Sequence, residues 1–193
     1  MSNIQFDINK FKDAKIVVYG DMMVDEYLSG DVSRISPEAP VPVVCIKNET
    51  KRLGGAGNVV RNLCALGADV IPISCIGKDE SGEWLVNRFT EYGLDISGLL
   101  QNDRVVTSIK TRVTSQNQQL LRYDREIIQD VPSDFTDWLK DNVLKYISKA
   151  NAVIISDYGK GAVTKTSAQI LIEAANELDI PVVIDPKGSD YSK

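Results

Sequence analysis

Asp21 and Asp25 stand four residues apart, just after the short apolar run Ile16 to Tyr19. Carboxylates in a loop at that place can accept hydrogen bonds from sugar hydroxyls. A helix cap and a solvated side chain would explain them equally well. Gly54-Gly55-Ala56-Gly57-Asn58 is the sharpest local signal. Its glycines let backbone approach a ligand closely, and the helix start that follows offers N–H groups to oxygen ligands. It is not a dinucleotide fingerprint, because G-x-G-x-x-G read from Gly55 ends on Val60. Gly159-Lys160-Gly161-Ala162-Val163-Thr164-Lys165-Thr166 nearly spells a phosphate-binding P-loop. Thr164, however, stands where backbone must wrap phosphate, which argues against a P-loop. Arg34, Lys47, Lys51 and Arg52 in one β-rich piece, and Arg104, Lys110, Arg112, Arg122 and Arg125 in another, could clamp a phosphate. Balanced by Asp124 and Glu126, they also read as a solvated ribbon face.

Other chemistries are excluded. The chain has no His, which removes Ser-His-Asp catalysis and His-based zinc sites. Cys45, Cys64 and Cys75 form no C-x-x-C pair and read as buried reduced thiols. A formal net charge of -5 argues against a nucleic-acid partner. With 43% hydrophobic and 25% charged residues, the 193 residues have ordinary globular proportions. No signal peptide is visible in the polar stretch Met1 to Lys15, and no apolar run is long enough to cross a bilayer. The expectation is a cytoplasmic protein with no membrane partner.

The elements that must position these residues alternate. Strands are expected at Ile16–Tyr19, Val70–Ile76, Ala152–Ser156 and Pro181–Ile184. Helices are expected after Gly57 (Val59, Leu63 and Leu66 on one face), over Asp79–Tyr92, along Phe135–Ile147 and along Ile170–Leu178. Such alternation implies an α/β fold with a mostly parallel sheet covered on both faces. Val41–Ile46, preceded by Pro37, Pro40 and Pro42, suits an edge or a projecting ribbon. Val105–Thr114 and Gln118–Tyr123 read as a hairpin around Ser115-Gln116-Asn117. Ligands of open α/β sheets bind beyond the carboxyl ends of the strands. That rule selects Gly20 to Asp25, Gly77-Lys78-Asp79, Ser156 to Gly161, and Asp185 to Gly188 as site loops.

Gly20-Asp21-Met22-Met23-Val24-Asp25 with Gly54-Gly55-Ala56-Gly57-Asn58 resembles the N-terminal half of PfkB/ribokinase-type sugar kinases. Four longer strings are Ser33 to Val44, Asn117 to Arg122, Ser156 to Gly161, and Ile184 to Gly188. They are similar to the kinase domains of bifunctional heptose 7-phosphate kinase/ADP-heptose synthases. The resemblance implies a ribokinase-like three-layer core with a small β lid, the lid drawn from about 27–48 and 104–124 of a single domain, 1–193. It implies ATP-dependent phosphorylation of D-glycero-β-D-manno-heptose 7-phosphate at its anomeric oxygen, towards ADP-heptose and the lipopolysaccharide core. It also implies Mg2+ and a homodimer formed through the lid.

By the same resemblance Asp25 is the sugar-hydroxyl carboxylate, and Gly54, Gly55 and Asn58 form the sugar loop. Position and chemistry add Arg34 and Arg122 for the 7-phosphate, and Lys160 and Lys187 for substrate or transferring phosphate. Asp157 and Asp185 would orient those lysines or help hold magnesium through water. The Gly-Ala-Gly-Asp turn that carries the family's base occurs nowhere in the 193 residues, and neither does the Asn-x-x-Glu metal motif. The resulting expectation is a truncated fold whose C-terminal part is absent, with no catalytic base and no metal ligand of its own. The chain alone is expected to be inactive, with an exposed strand edge that favours dimerisation or aggregation. Two alternatives stay open: a non-catalytic sugar-phosphate-binding or dimerisation module, and a kinase for another sugar phosphate.

Overall fold

Val17, Val18 and Tyr19 are fully buried, as a strand covered on both faces requires. They belong to β1 (Lys15–Gly20), which pairs in parallel with β4 (Asp69–Gly77) on one side and β8 (Ala152–Ser156) on the other. The computed structural model describes residues 7–188. Met1–Phe6, the first part of the polar N-terminal stretch, and the closing Ser189–Lys193 lie outside them. With β5 (Leu99–Asn102) and β9 (Val182–Asp185) at its edges, the sheet has the order β5-β4-β1-β8-β9. Every pair in it is parallel.

Alternate residues of β1 feed two cores. Ile16 and Val18 pack with Val60, Leu63, Leu85 and Phe89 of α1 (Ala56–Leu66) and α2 (Glu80–Glu91). Val17 and Tyr19 pack with Phe135, Leu139, Val143 and Leu171 of α3 (Ser133–Ile147) and α4 (Lys165–Glu177). The face of α1 differs from the expected one. Its buried positions are Ala56, Gly57, Val60 and Leu63; of the expected face, Leu63 is buried, Val59 packs half-buried against the same core, and Leu66 is exposed.

A second sheet, ordered β3-β2-β6-β7, projects from the first. It comprises β2 (Met22–Ile35), β3 (Pro42–Gly55), β6 (Ile109–Ser115) and β7 (Gln118–Arg125). The stretch expected as a loop from Gly20 to Asp25 is instead a loop of one residue, Asp21. Met22 already pairs with Gly55, so Asp25 sits inside a strand. Buried Met22, Met23 and Val24 anchor this base of the ribbon in the core, which keeps the chain extended there. The proline-flanked β3 lies at the sheet edge. The predicted strand from Val105 starts only at Ile109, because Thr107 is pinned to the main sheet. Its N–H donates to Asp79 Oδ2 at 2.9 Å, and its hydroxyl accepts from the Gly77 N–H at 2.9 Å. Gln116 and Asn117 both have positive φ, 49° and 66°, the twist that a two-residue hairpin loop demands.

The thiols also differ from expectation. Cys75 is buried and Cys64 half-buried, but Cys45 is exposed because it lies on β3, which pairs on one side only. No helix among the described residues is long and apolar enough to cross a membrane.

Candidate functional site

Gly20, Ser156 and Asp185 close three neighbouring parallel strands at one end of the main sheet. The second sheet leaves the first at the same end, through Asp21. Asp21 is 4% exposed, and its carboxylate accepts three backbone N–H groups. These come from Tyr158 (2.7 Å) and Lys160 (3.1 Å) on Oδ2 and from Ala162 (2.9 Å) on Oδ1. Burial pushes its carboxyl above the ordinary carboxylate range, and nearby Asp157 adds to this, while the three N–H groups oppose it. Asp21 is therefore a buried pin that shapes the 157–162 loop.

Asp25 is the half-buried counterpart. Its Oδ1 lies 2.7 Å from Arg112 Nη1, and each side chain is 23% exposed. Its Oδ2 lies against Gly54, where an added Cβ would come within 2.7 Å. Gly55 has φ 54°, and a Cβ there would meet the Asp21 carbonyl at 2.4 Å. These two positions thus require glycine for space and for backbone geometry. The Ala56 N–H donates to that Asp21 carbonyl at 3.0 Å. No side chain caps α1, and half-buried Asn58 sits in its first turn. Asp25, Gly54, Gly55 and Asn58 are thereby brought to one place.

The other expected residues divide. Asp157 and Asp185 lie side by side: the Asp157 N–H donates to the Asp185 carbonyl at 2.9 Å, and Asp157 Oδ1 accepts from Gly159 at 2.8 Å. Lys187 borders the same loop, its Cγ 3.4 Å from where a Cβ on Gly159 would stand. Lys160 is held in a shielded ion pair with Glu126 at 2.7 Å. Arg122 is directly opposite Arg112 in register and pairs with Asp124 at 3.0 Å. Arg34 is not brought to the cluster. It is exposed near the far end of β2, nine residues from Asp25, about 30 Å along an extended strand. The Gly77-Lys78-Asp79 loop serves structure: Asp79 Oδ1 caps α2 through the Gly82 N–H at 2.8 Å. The P-loop look-alike resolves likewise, since Thr164 caps α4 in a reciprocal capping box with Ser167.

Two site features were missed. Arg112 as the partner of Asp25 is one. The other is Tyr27, whose ring has the guanidinium carbons of both Arg52 and Arg112 at 5.2 Å. Alternation along β6 puts Lys110 and Arg112 on one face, but the strand register that brings Asp25 there is not written in either segment. The cavity bounded by Asp21, Met22, Ser108, Lys160 and Gly161 measures about 30 Å³, room for a water molecule. Among the described residues no group of three acidic or Cys side chains is placed to hold a metal ion.

Comparison with known families matches residues 13–193 to the pfkB family carbohydrate kinase model. The bifunctional protein HldE of Geotalea uraniireducens (strain Rf4) is 46% identical over 182 residues, covering 94% of this chain and 37% of that protein. HldE of Desulfatibacillum aliphaticivorans is 44% identical over 188 residues, covering 97% and 38%. The chain thus spans well under half the length of these curated relatives. Among solved structures, phosphofructokinase-2 from Escherichia coli in complex with fructose-6-phosphate superposes with a TM-score of 0.67 at 21% identity, covering 91% of this chain and 55% of that one. Arabidopsis thaliana ribokinase complexed with ribose and ATP gives 0.63 at 14%, covering 91% and 54%. Those likenesses establish the fold: a parallel α/β core with a second mixed sheet.

Proposed function

The chain belongs to the pfkB family of carbohydrate kinases, and from that premise we propose that it is the sugar-binding half of a heptose 7-phosphate kinase. In the reaction proposed, the anomeric hydroxyl of D-glycero-β-D-manno-heptose 7-phosphate attacks the γ-phosphorus of ATP. The bond to the β-phosphate oxygen breaks, ADP leaves, and the hydroxyl proton passes to a base, giving the 1,7-bisphosphate. That product is the precursor expected for ADP-heptose and lipopolysaccharide core assembly in the cytoplasm. The observation that carries this reading is the 46% identity to an HldE over nearly the whole chain.

The residues have separable roles in it. Asp25 accepts hydrogen bonds from the sugar hydroxyls, and Gly54 and Gly55 let the ring approach the backbone. The first-turn N–H groups of α1 beyond that of Ala56, which bonds the Asp21 carbonyl, complete that wall with Asn58. Lys187 and Lys160 offset negative charge on phosphate, Lys160 after exchanging its contact with Glu126. Asp157 and Asp185, adjacent at two strand ends, suit a Mg2+ ion held mainly through water and substrate phosphates, and the ion would neutralise phosphate charge. The base is a different matter. Because no Gly-Ala-Gly-Asp segment occurs in the 193 residues, the chain by itself is proposed to bind sugar phosphate without transferring phosphate. A homodimer through the second sheet is part of the proposal, supported by exposed Ile46, Leu121 and Tyr123.

Calorimetric titration of the chain with heptose 7-phosphate, and with fructose 6-phosphate for comparison, tests the substrate. Tighter binding of the heptose is expected, and equal or reversed affinity would sink the assignment. A coupled ADP-release assay on the same sample should read background. Turnover there would refute the proposed inactivity.

A further inference from the structure

We propose that Arg112 is a specificity-determining residue that keeps Asp25 occupied until a phosphorylated sugar draws it away. The inference rests on the reading of this face as a sugar-phosphate site, and extends it to how phosphate is demanded. Oδ1 of Asp25 is held by Arg112 at 2.7 Å, and Oδ2 lies close to the Gly54 backbone, where there is no room for a side chain. A sugar hydroxyl must therefore compete with a guanidinium for Oδ1. The pair is only 23% exposed on each side, so water does not fully replace what is lost when it opens.

Arg112 has somewhere else to go. Register places Arg52 and Lys110 directly opposite Asp25, and Arg122 directly opposite Arg112, all on one face of the second sheet. Cations outnumber Asp25 and Asp124 there, so the face holds more positive charge than its own carboxylates neutralise. The Arg112 guanidinium already lies 5.2 Å from the Tyr27 ring centroid while it holds Asp25, so the ring can support it as it turns away from the carboxylate. A phosphate dianion carries more charge than a carboxylate and offers matching oxygens for the planar guanidinium fork. It takes Arg112, and Oδ1 of Asp25 becomes free for the sugar. An unphosphorylated sugar has nothing to offer Arg112 and meets a carboxylate whose Oδ1 is already held by the guanidinium. Recognition of the phosphate and of the hydroxyls are coupled through this one side chain.

The test is calorimetric titration of the full chain and its variants with heptose 7-phosphate and with the unphosphorylated heptose. Wild type should prefer the phosphorylated sugar by at least about tenfold. In Arg112→Leu, binding of the phosphorylated sugar should weaken by about tenfold to a hundredfold, the scale of a charged hydrogen bond. Binding of the unphosphorylated sugar should stay equal or tighten, because Asp25 is unblocked. Arg112→Lys, which keeps the charge without the planar fork, should show an intermediate preference, and it carries the same test should Arg112→Leu fail to fold. Equal weakening of both sugars would mean that Arg112 merely supports the sheet, and would overturn the proposal while leaving the site reading intact. An unchanged preference would overturn it as well. No binding of either sugar to wild type would remove the site reading, and this inference with it.

Discussion

Two carboxylates four residues apart in sequence do different work, and burial decides which does what. Asp21 is enclosed and accepts three backbone N–H groups, whereas Asp25 is half-buried in an ion pair with Arg112. Asp21→Asn would set an amide NH2 against one or more of the three N–H groups. It should destabilise the chain by about 1–3 kcal/mol at neutral pH, measured by urea unfolding. The pH dependence has a definite sign. Because the folded chain raises the Asp21 pKa above its ordinary 3.8, the folded state holds that proton more tightly than the unfolded one. The associated stabilisation is fully present below the ordinary value and fades as pH rises through the raised one. The margin of wild type over Asp21→Asn should therefore shrink as pH rises across that window; a margin that grows would contradict the burial argument. The thiols sort by the same physics. Burial pushes the Cys75 thiol up to about 12 and also raises Cys64, while Cys45 is exposed. A disulfide reagent near pH 8 should label Cys45 quickly, Cys64 slowly and Cys75 only after unfolding.

Thr164 separates two readings of one motif at the scale of the element. In a phosphate loop its side chain would intrude; as the cap of α4 it accepts the Ser167 N–H at 3.1 Å, and Ser167 returns the bond to the Thr164 N–H at 2.9 Å. Thr164→Ala should cost about 1 kcal/mol of stability in denaturant unfolding and leave sugar-phosphate binding unchanged. A loss of binding with stability intact would reinstate a phosphate role for the loop. The core elements were readable because their signals are local. The run Ile16 to Tyr19 and the spacing of Leu85 and Phe89 each declare burial within a few residues. Glycines at positions 54 and 55 declared a close approach that the structure requires of them. What could not be read was pairing between distant segments. That Asp25 lies in a strand, that Arg112 meets it across 87 residues of sequence, and that Arg34 runs out along the ribbon all depend on strand register. Register is fixed by three-dimensional fit rather than by either segment alone.

Among the described residues two apolar surfaces lie uncovered, and they predict different assemblies. On the second sheet, register places Leu28, Val113, Leu121 and Tyr123 on the face opposite Asp25 and Arg112, with Leu121 and Tyr123 about half exposed. On the main sheet, β9 is an edge strand with Val183 58% and Ile184 45% exposed. A sheet edge offers unpaired backbone groups and recruits further strands without a natural stop. A sheet face packed on its own copy by a two-fold axis closes after two chains. Sedimentation velocity across a concentration series separates them. A discrete dimer that Leu121→Asp dissociates, and that Val183→Lys leaves alone, would assign association to the second sheet. Open-ended growth suppressed by Val183→Lys would assign it to β9. The face is the expected answer for the dimer, because it joins the core through buried Val24, Leu53 and Ile109 and is held rigid by them. The edge is the expected source of slow aggregation, which Val183→Lys with Ile184→Lys should reduce without changing the dimer constant.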